Sequence, residues 1–328
     1  MAQWADPVRK GVSFPPPHLG LVWRRARVSD LERMLILAAQ ATTGENHFRR
    51  EPVMLARLAR MNVLPEFSDV IGGFDAEGVM QAYASVIVNP LNTPIVRAQV
   101  EGVISRSWRQ KGIGRAVLEW QDGRARELAM RVPGATGIEI DSVSEEENAD
   151  LRRLLAAGGF APVESRRFYL ADVAQMAVQG RESLAYLHGH GYHVHALREE
   201  DLDELHLMNN SDCAKSPFLK PAGDEDWRLL IGTVNAEASI VVDDVDGIAM
   251  YGLVEEGRQG SGLVRARGVR PHVSTDVMRH VILAHASFVA ARFSQLRVLV
   301  ADNEPIVDAL KLAGFTPDGV LIRYAITL

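Results

Sequence analysis

The 328-residue chain has one cysteine, Cys213, and only 6% aromatic side chains. One thiol excludes an internal disulfide framework and suits a reducing compartment. No uncharged apolar run reaches the ~18 residues of a membrane span, and residues 1–20 lack an apolar signal core. The expectation is therefore a cytoplasmic protein without a membrane partner. Positive charge is also short, with 36 Lys and Arg against 42 Asp and Glu, a net charge of −6. Residues 1–180 carry 22 basic and 21 acidic side chains, whereas residues 181–328 carry 14 and 21. Without a basic face there are few counterions to release, which argues against nucleic acid as a partner. An acidic half remains compatible with a cationic small molecule.

What is present is an ordinary globular composition, 47% hydrophobic and 24% charged. Its length predicts two domains. An internal repeat supports that division. Arg27-Val-Ser-Asp30-Leu31 recurs as Arg198-Glu-Glu-Asp201-Leu202, and both copies read as a strand, a turn and a helix N-capped by Asp or Ser. Further on, Asn148, Leu151, Leu154, Leu155, Gly159 and Phe160 recur as Asn303, Ile306, Ala309, Leu310, Gly314 and Phe315. The apolar spacing is helical, and a Gly falls where each helix would end. Each half then reads as strands followed by alternating helices and strands, an α/β fold with a mixed sheet. The expected divisions are an extended arm over 1–20, a first domain over 21–171, a linker over 172–191 and a second domain over 192–328.

The segment richest in chemistry runs from Val103 through Leu118. A strand enters a loop with Arg109, Gln110, Lys111, Gly112, Ile113, Gly114 and Arg115, and the loop opens an amphipathic helix. Glycines let backbone approach a ligand, and the first N–H groups of a helix lack intrahelical partners. Together with the helix dipole and three cations, they make a phosphate site. Absence of Gly-Lys-Ser/Thr excludes the nucleotide triphosphate loop, and the spacing is not that of the three-glycine dinucleotide motif.

The pattern Arg109-x-x-Gly112-x-Gly114 resembles the acetyl-coenzyme A loop of the GNAT acetyltransferase superfamily, with Arg106 where the family's strand ends in Pro. Asn148 through Phe160 is similar to the family's second signature, with Leu151 for its Ala and Leu155 for its Tyr. In the second half Asn303, Gly314, Phe315 and Val269-Arg270-Pro271 fit the pattern, but Ser274, Val277 and Arg279 stand where the loop needs Arg, Gly and Gly. The whole resembles the tandem GNAT architecture of which mycothiol synthase is one example, with only the first half expected to hold acetyl-coenzyme A.

The resemblance implies an N-acetyltransferase that needs no covalent intermediate, acting on a primary amine of a small, cationic molecule. It implies a bulged strand whose backbone at Val103 and Ile104 pairs with the pantetheine arm, pyrophosphate at residues 109–115, and Asn148 near the cofactor. Glu101, on the strand feeding the loop, is the candidate base; its parity equally allows an ion-pair role. With Leu155 in the Tyr position, Tyr83 or Tyr169 is the candidate acid, or water serves. Glu45, in Thr42-Thr-Gly-Glu-Asn-His47, is a candidate anchor for the acceptor, or part of a plain surface loop. Two alternatives stay open: a non-catalytic acyl-coenzyme A-binding protein, and an enzyme acting on protein N-termini or lysines. The cluster His188, His190, His193 and His195 has no Cys or carboxylate at ligand spacing, so no metal is expected. Tandem halves suggest a monomer that is an internal pseudo-dimer, or a homodimer.

Overall fold

The computed structural model describes residues 12–41, 68–90, 94–215, 221–257 and 260–328. It divides into two compact units, Met1–Val163 with Ile322–Leu328, and Glu164–Leu321. Among the described residues no helix is long and apolar enough to cross a membrane.

In the first unit β1 (Val22–Arg25), β2 (Ser68–Phe74), β3 (Met80–Asn89), β4 (Ile95–Ile104) and β5 (Gly137–Glu145) lie side by side in chain order. Neighbours from β1 to β4 are antiparallel, and β4 and β5 are parallel. Strict alternation along β4 explains the layers. Val96, Ala98 and Val100 pack under α2 (Ile113–Ala129) and α3 (Ala149–Ala157), with Ile113, Val117 and Leu155. Val103 turns to the opposite face, where α1 (Leu31–Ala41) contributes Met34 and Leu37. A hairpin turns over Asp75–Gly78: Gly78 has φ +76°, and Asp75 Oδ1 accepts from Val79 N at 2.8 Å.

The second unit contains β6 (Ala161–Asp172) from Glu164 onward, β7 (His193–Ala196), β8 (Ile240–Asp244), β9 (Gly247–Glu256), β10 (Ser261–Val269) and β11 (Gln295–Val300). They lie in the order β6-β11-β10-β9-β8-β7, and β10 and β11 are its parallel pair. Its helices are α4 (Val173–Gly189), α5 (Leu202–Lys215), α6 (Asp224–Ile231), α7 (Thr275–Val289) and α8 (Ile306–Leu312). The last strand, β12 (Thr316–Thr327), begins in the second unit and ends in the first.

The observed division falls at Val163/Glu164 and Leu321/Ile322, whereas the sequence suggests 171 and 192. The stretch expected to link the halves is α4, N-capped by Asp172 through Ala174 N and Gln175 N. Gly180 allows it to lie close on α7; a Cβ there would stand 2.8 Å from Ser287 Oγ. The chain end joins the first unit because Leu328 and Ile138 exchange two backbone hydrogen bonds of 2.9 and 3.0 Å, and Tyr324 packs in that core.

The repeated Asp also works differently from a helix N-cap. Asp30 Oδ2 accepts backward from Arg27 N at 2.8 Å, and Asp201 Oδ2 from Arg198 N at 2.7 Å. Each carboxylate thereby closes a short 3-10 turn ahead of the helix. Arg24 adds two bonds to Asp30, at 2.7 and 2.8 Å, and these hold its carboxyl below the usual carboxylate range.

Candidate functional site

The site begins where two parallel strands part. The β4–β5 ladder runs from Ile95–Gly137 to Gln99–Asp141, although β4 continues to Ile104 and β5 to Glu145. On its other edge β4 stays paired with β3 without a shift from Arg97 through Ile104. The bulge that the resemblance implies is therefore absent from this strand. Gly102, beyond the fork, is exposed. Gln121 on α2 fixes the backbone there, donating to Ser85 O at 3.1 Å and Glu101 O at 2.6 Å.

Beyond Ile104 the chain makes a 3-10 turn over Arg106–Trp108 and enters α2. Gln110 has φ +62°, the only left-handed non-glycine among the described residues, and Gly112 follows at +83°. Left-handed residues in a turn favour presentation of N–H groups to an anion. The two loop glycines differ in physical role. Gly112 serves its backbone angle, since a Cβ would meet only Leu19 Cδ2 at 3.5 Å. Gly114 serves packing, since a Cβ would stand 3.1 Å from Leu154 Cδ2 on α3.

The cations are likewise unequal. Arg109 folds back, donating from Nε to Ile104 O at 3.2 Å, so it staples the loop to the strand. Lys111 lies over the Trp108 ring, 4.3 Å from its centroid, and Gly20 of the N-terminal arm leaves room for that ring. Arg115 is exposed in the first turn of α2. The arm runs along α2, with Val12 N donating to Glu127 Oε1 at 2.9 Å and Leu19 beside Gly112.

Glu101 shares the α1 side of the sheet with Val103 and is partly exposed. Tyr83 is the register partner of Val103 and is fully buried. Tyr169 is not brought beside them within one unit. It packs with Ala171 and Val173 in the second unit's core, at 3% exposure. Asn148 caps α3, its Oδ1 accepting from Leu151 N at 3.1 Å. Leu155, in the Tyr position, is buried core. Glu45 lies outside the described residues. Cys213 is buried in the second unit, and burial pushes its thiol up to about 11, far from nucleophilic use. Sequence reasoning missed Asp141, a carboxylate at 4% exposure on the last rung of the fork. A lone Asp in Gly-Ile-Glu-Ile-Asp-Ser is the available signal, but only pairing places it.

The second unit has the same fork with different contents. Its parallel ladder ends at Val264–Val298, and here the strand does shift register, between Val264 and Ala266. Counting from the shared strand end, Arg267 takes the place of Gly102; counting from the shared Asn, Glu304 takes the place of Ala149. Arg267 and Glu304 form an ion pair, and Arg166 approaches Glu304 at 3.5 Å. The arginines hold the Glu304 carboxyl below its ordinary range despite burial. At the start of α7, Ser274 accepts from Val277 N, and Asp276 puts negative charge in the first turn. Both features disfavour a phosphate there.

No protein-family model matches this sequence, and no curated protein matches it. Solved structures do match its fold. A GCN5-related N-acetyltransferase from Sphaerobacter thermophilus aligns over 96% of this chain and 97% of its own at 14% identity, with TM-score 0.65. A tandem GNAT protein from the clavulanic acid biosynthesis pathway aligns over 94% and 98% at 16% identity, TM-score 0.62. Saccharomyces cerevisiae N-myristoyltransferase, solved with bound myristoyl-CoA, aligns over 99% and 86% at 12% identity, TM-score 0.62. The chain therefore has the GNAT fold. It is an α/β architecture of the tandem kind.

Proposed function

We propose that the chain is an N-acyltransferase that uses a coenzyme A thioester, acetyl-coenzyme A in the first instance, held by the first unit alone. The observation that carries this reading is the open fork of β4 and β5 leading directly into the Gly112 loop, set against an ion-bridged fork in the second unit. The residues fit the cofactor: Gly102 leaves backbone exposed, and the left-handed Gln110 and Gly112 shape a phosphate cradle. Val103 and Ile104 would hold the pantetheine arm as an added strand. Gln110, Gly112, Ile113 and Gly114 would hold the pyrophosphate by backbone, with Lys111 and Arg115 supplying charge. Arg109 would act by keeping the loop closed, and Asn148 by capping α3 beside it.

When bound, the thioester supplies an activated acyl group. Glu101 would take a proton from the acceptor ammonium at its carboxylate, directly or through water. Tyr83, the register partner of Val103 in the first unit, takes the place of Tyr169 as the proposed acid. A small primary amine such as a polyamine, aminoglycoside or amino sugar is the proposed acceptor.

Calorimetric titration of coenzyme A and acetyl-coenzyme A into wild type and Gly112→Asp, followed by thiol release across an amine panel, tests the reading. One equivalent bound by wild type and none by the variant is expected. No binding by wild type, or equal binding by both, would sink it. The buried Leu155 favours one second reading, a non-catalytic acyl-coenzyme A-binding protein, which predicts binding of the thioester without release of the coenzyme A thiol in the presence of any amine.

A further inference from the structure

The second unit contains a cavity of about 400 Å³ at the edge strand β7, lined by His188, Tyr192, His193, His195, Arg198 and Asp243. Its size suits a small metabolite. Three chain segments build it: the end of α4, the strand β7 with its following turn, and β8. The shared fold does not require these histidines. In the first unit the equivalent strand is Val22–Arg25, where Arg24 grips Asp30 and no histidine occurs. His195 takes the place of Arg24, lying 3.8 Å from Asp201.

The hydrogen bonds decide what the cavity offers. Asp243 is engaged by His195 Nε2 at 2.9 Å, and the other ring nitrogen of His195 lies 2.8 Å from Ala196 O. Asp201 is engaged by Arg198 N. Both carboxylates are thus committed within the protein. His188 and His193 face each other edge-on, 5.8 Å between ring centroids, and both are exposed. Among the described residues the Arg198 guanidinium pairs with the exposed Glu200 at 3.1 Å, a weak surface pair. What remains to meet a ligand is one guanidinium, two imidazoles and a phenol, all able to donate. A metal is a poorer occupant, because among the described residues no three His, Cys, Asp or Glu converge to hold one.

We infer that this cavity is a binding site for a small phosphomonoester, distinct from the loop of the first unit. Arg198, His188 and His193 supply three separate donors, which match the three terminal oxygens of a phosphate better than the two of a carboxylate. Tyr192 and the aliphatic wall carry the organic part.

The test titrates phenyl phosphate, inorganic phosphate and benzoate into the full-length protein, with thermal melting to verify folding. Four proteins are compared: wild type, Arg198→Gln, His188→Ala/His193→Ala and Gly112→Asp. Both phosphates should still bind Gly112→Asp, whose first-unit loop is disabled, and the other two variants should weaken that second-unit component at least about tenfold. These substitutions are at exposed positions, so the melting temperature should hold. Three results would overturn the inference: no phosphate binding at millimolar concentration, binding lost in Gly112→Asp but kept in the histidine variant, or benzoate binding as tightly as phenyl phosphate.

Discussion

The two forks of this molecule are built on one plan and filled in opposite ways. In the first unit β4 and β5 separate beyond Gln99–Asp141, and an exposed Gly102 lies past the split. In the second, β10 and β11 separate beyond Val264–Val298, and Arg267 and Glu304 bridge the region beyond. Parting strands leave space between them that a ligand or side chains can fill. One unit keeps that place for a ligand in the proposed reading, and the other fills it with its own side chains. In that reading, the Arg267–Glu304 ion pair occupies the place in the second unit that the first keeps for its cofactor.

The sharpest way to break this comparison is at the loop. Gly112→Asp should weaken coenzyme A binding at least about 100-fold by calorimetry, through its left-handed backbone and added negative charge. Arg279→Ala, in the first turn of α7, should leave it unchanged. Equal losses would show that both units take part.

Next in size is the clasp before the first helix of each unit. Asp30→Asn removes a 1%-exposed acceptor from Arg24 and should cost about 2 kcal/mol in denaturant unfolding. Asp201→Asn, faced by His195 at 3.8 Å, should cost about 1 kcal/mol. A reversed order would contradict the assignment of Arg24 as the stronger partner.

The bridge itself can be measured by a double-mutant cycle of Arg267→Gly and Glu304→Ala, with a coupling of about 1 kcal/mol expected. Zero coupling would mean that the pair does not hold the second fork shut. A pH series sharpens the same point. Glu304 and Asp30 titrate below their ordinary values, so their stabilisation is fully present above the unfolded-state carboxylate range and is lost as pH falls through the folded values. Melting temperature should therefore drop below about pH 4. Glu304→Gln should flatten that drop, and an unchanged slope would remove Glu304 from the account. Gly114→Ala should cost a similar amount, about 1 kcal/mol in denaturant unfolding, as its Cβ presses on Leu154.

Much of the fold and site was legible because it is local. Gly159 and Gly314 end their helices with φ of +86° and +93°, as the Gly-Phe motif leads one to expect. The loop from Arg109 to Arg115 opens α2 at the position the glycines mark. What local pattern could not supply was partnership. Tyr169 was a plausible acid on a strand near the second signature, yet the chain passes to the other unit at Glu164 and buries it there. Asp141 looked like one polar residue in a strand, and only the end of its ladder with Gln99 gives it a place at the fork.

By itself the sequence determined the order of strands and helices, the duplication and the one glycine loop, because periodicity, capping and turn chemistry act over a few residues. Tertiary structure alone decided where the units divide, that β4 has no bulge, and that Arg267 and Glu304 close the second fork. Those outcomes depend on residues far apart in the chain, 37 positions for the Arg267–Glu304 hydrogen bond and 184 for Arg323–Glu139. Their free energy depends on folded separation, which sequence spacing does not encode.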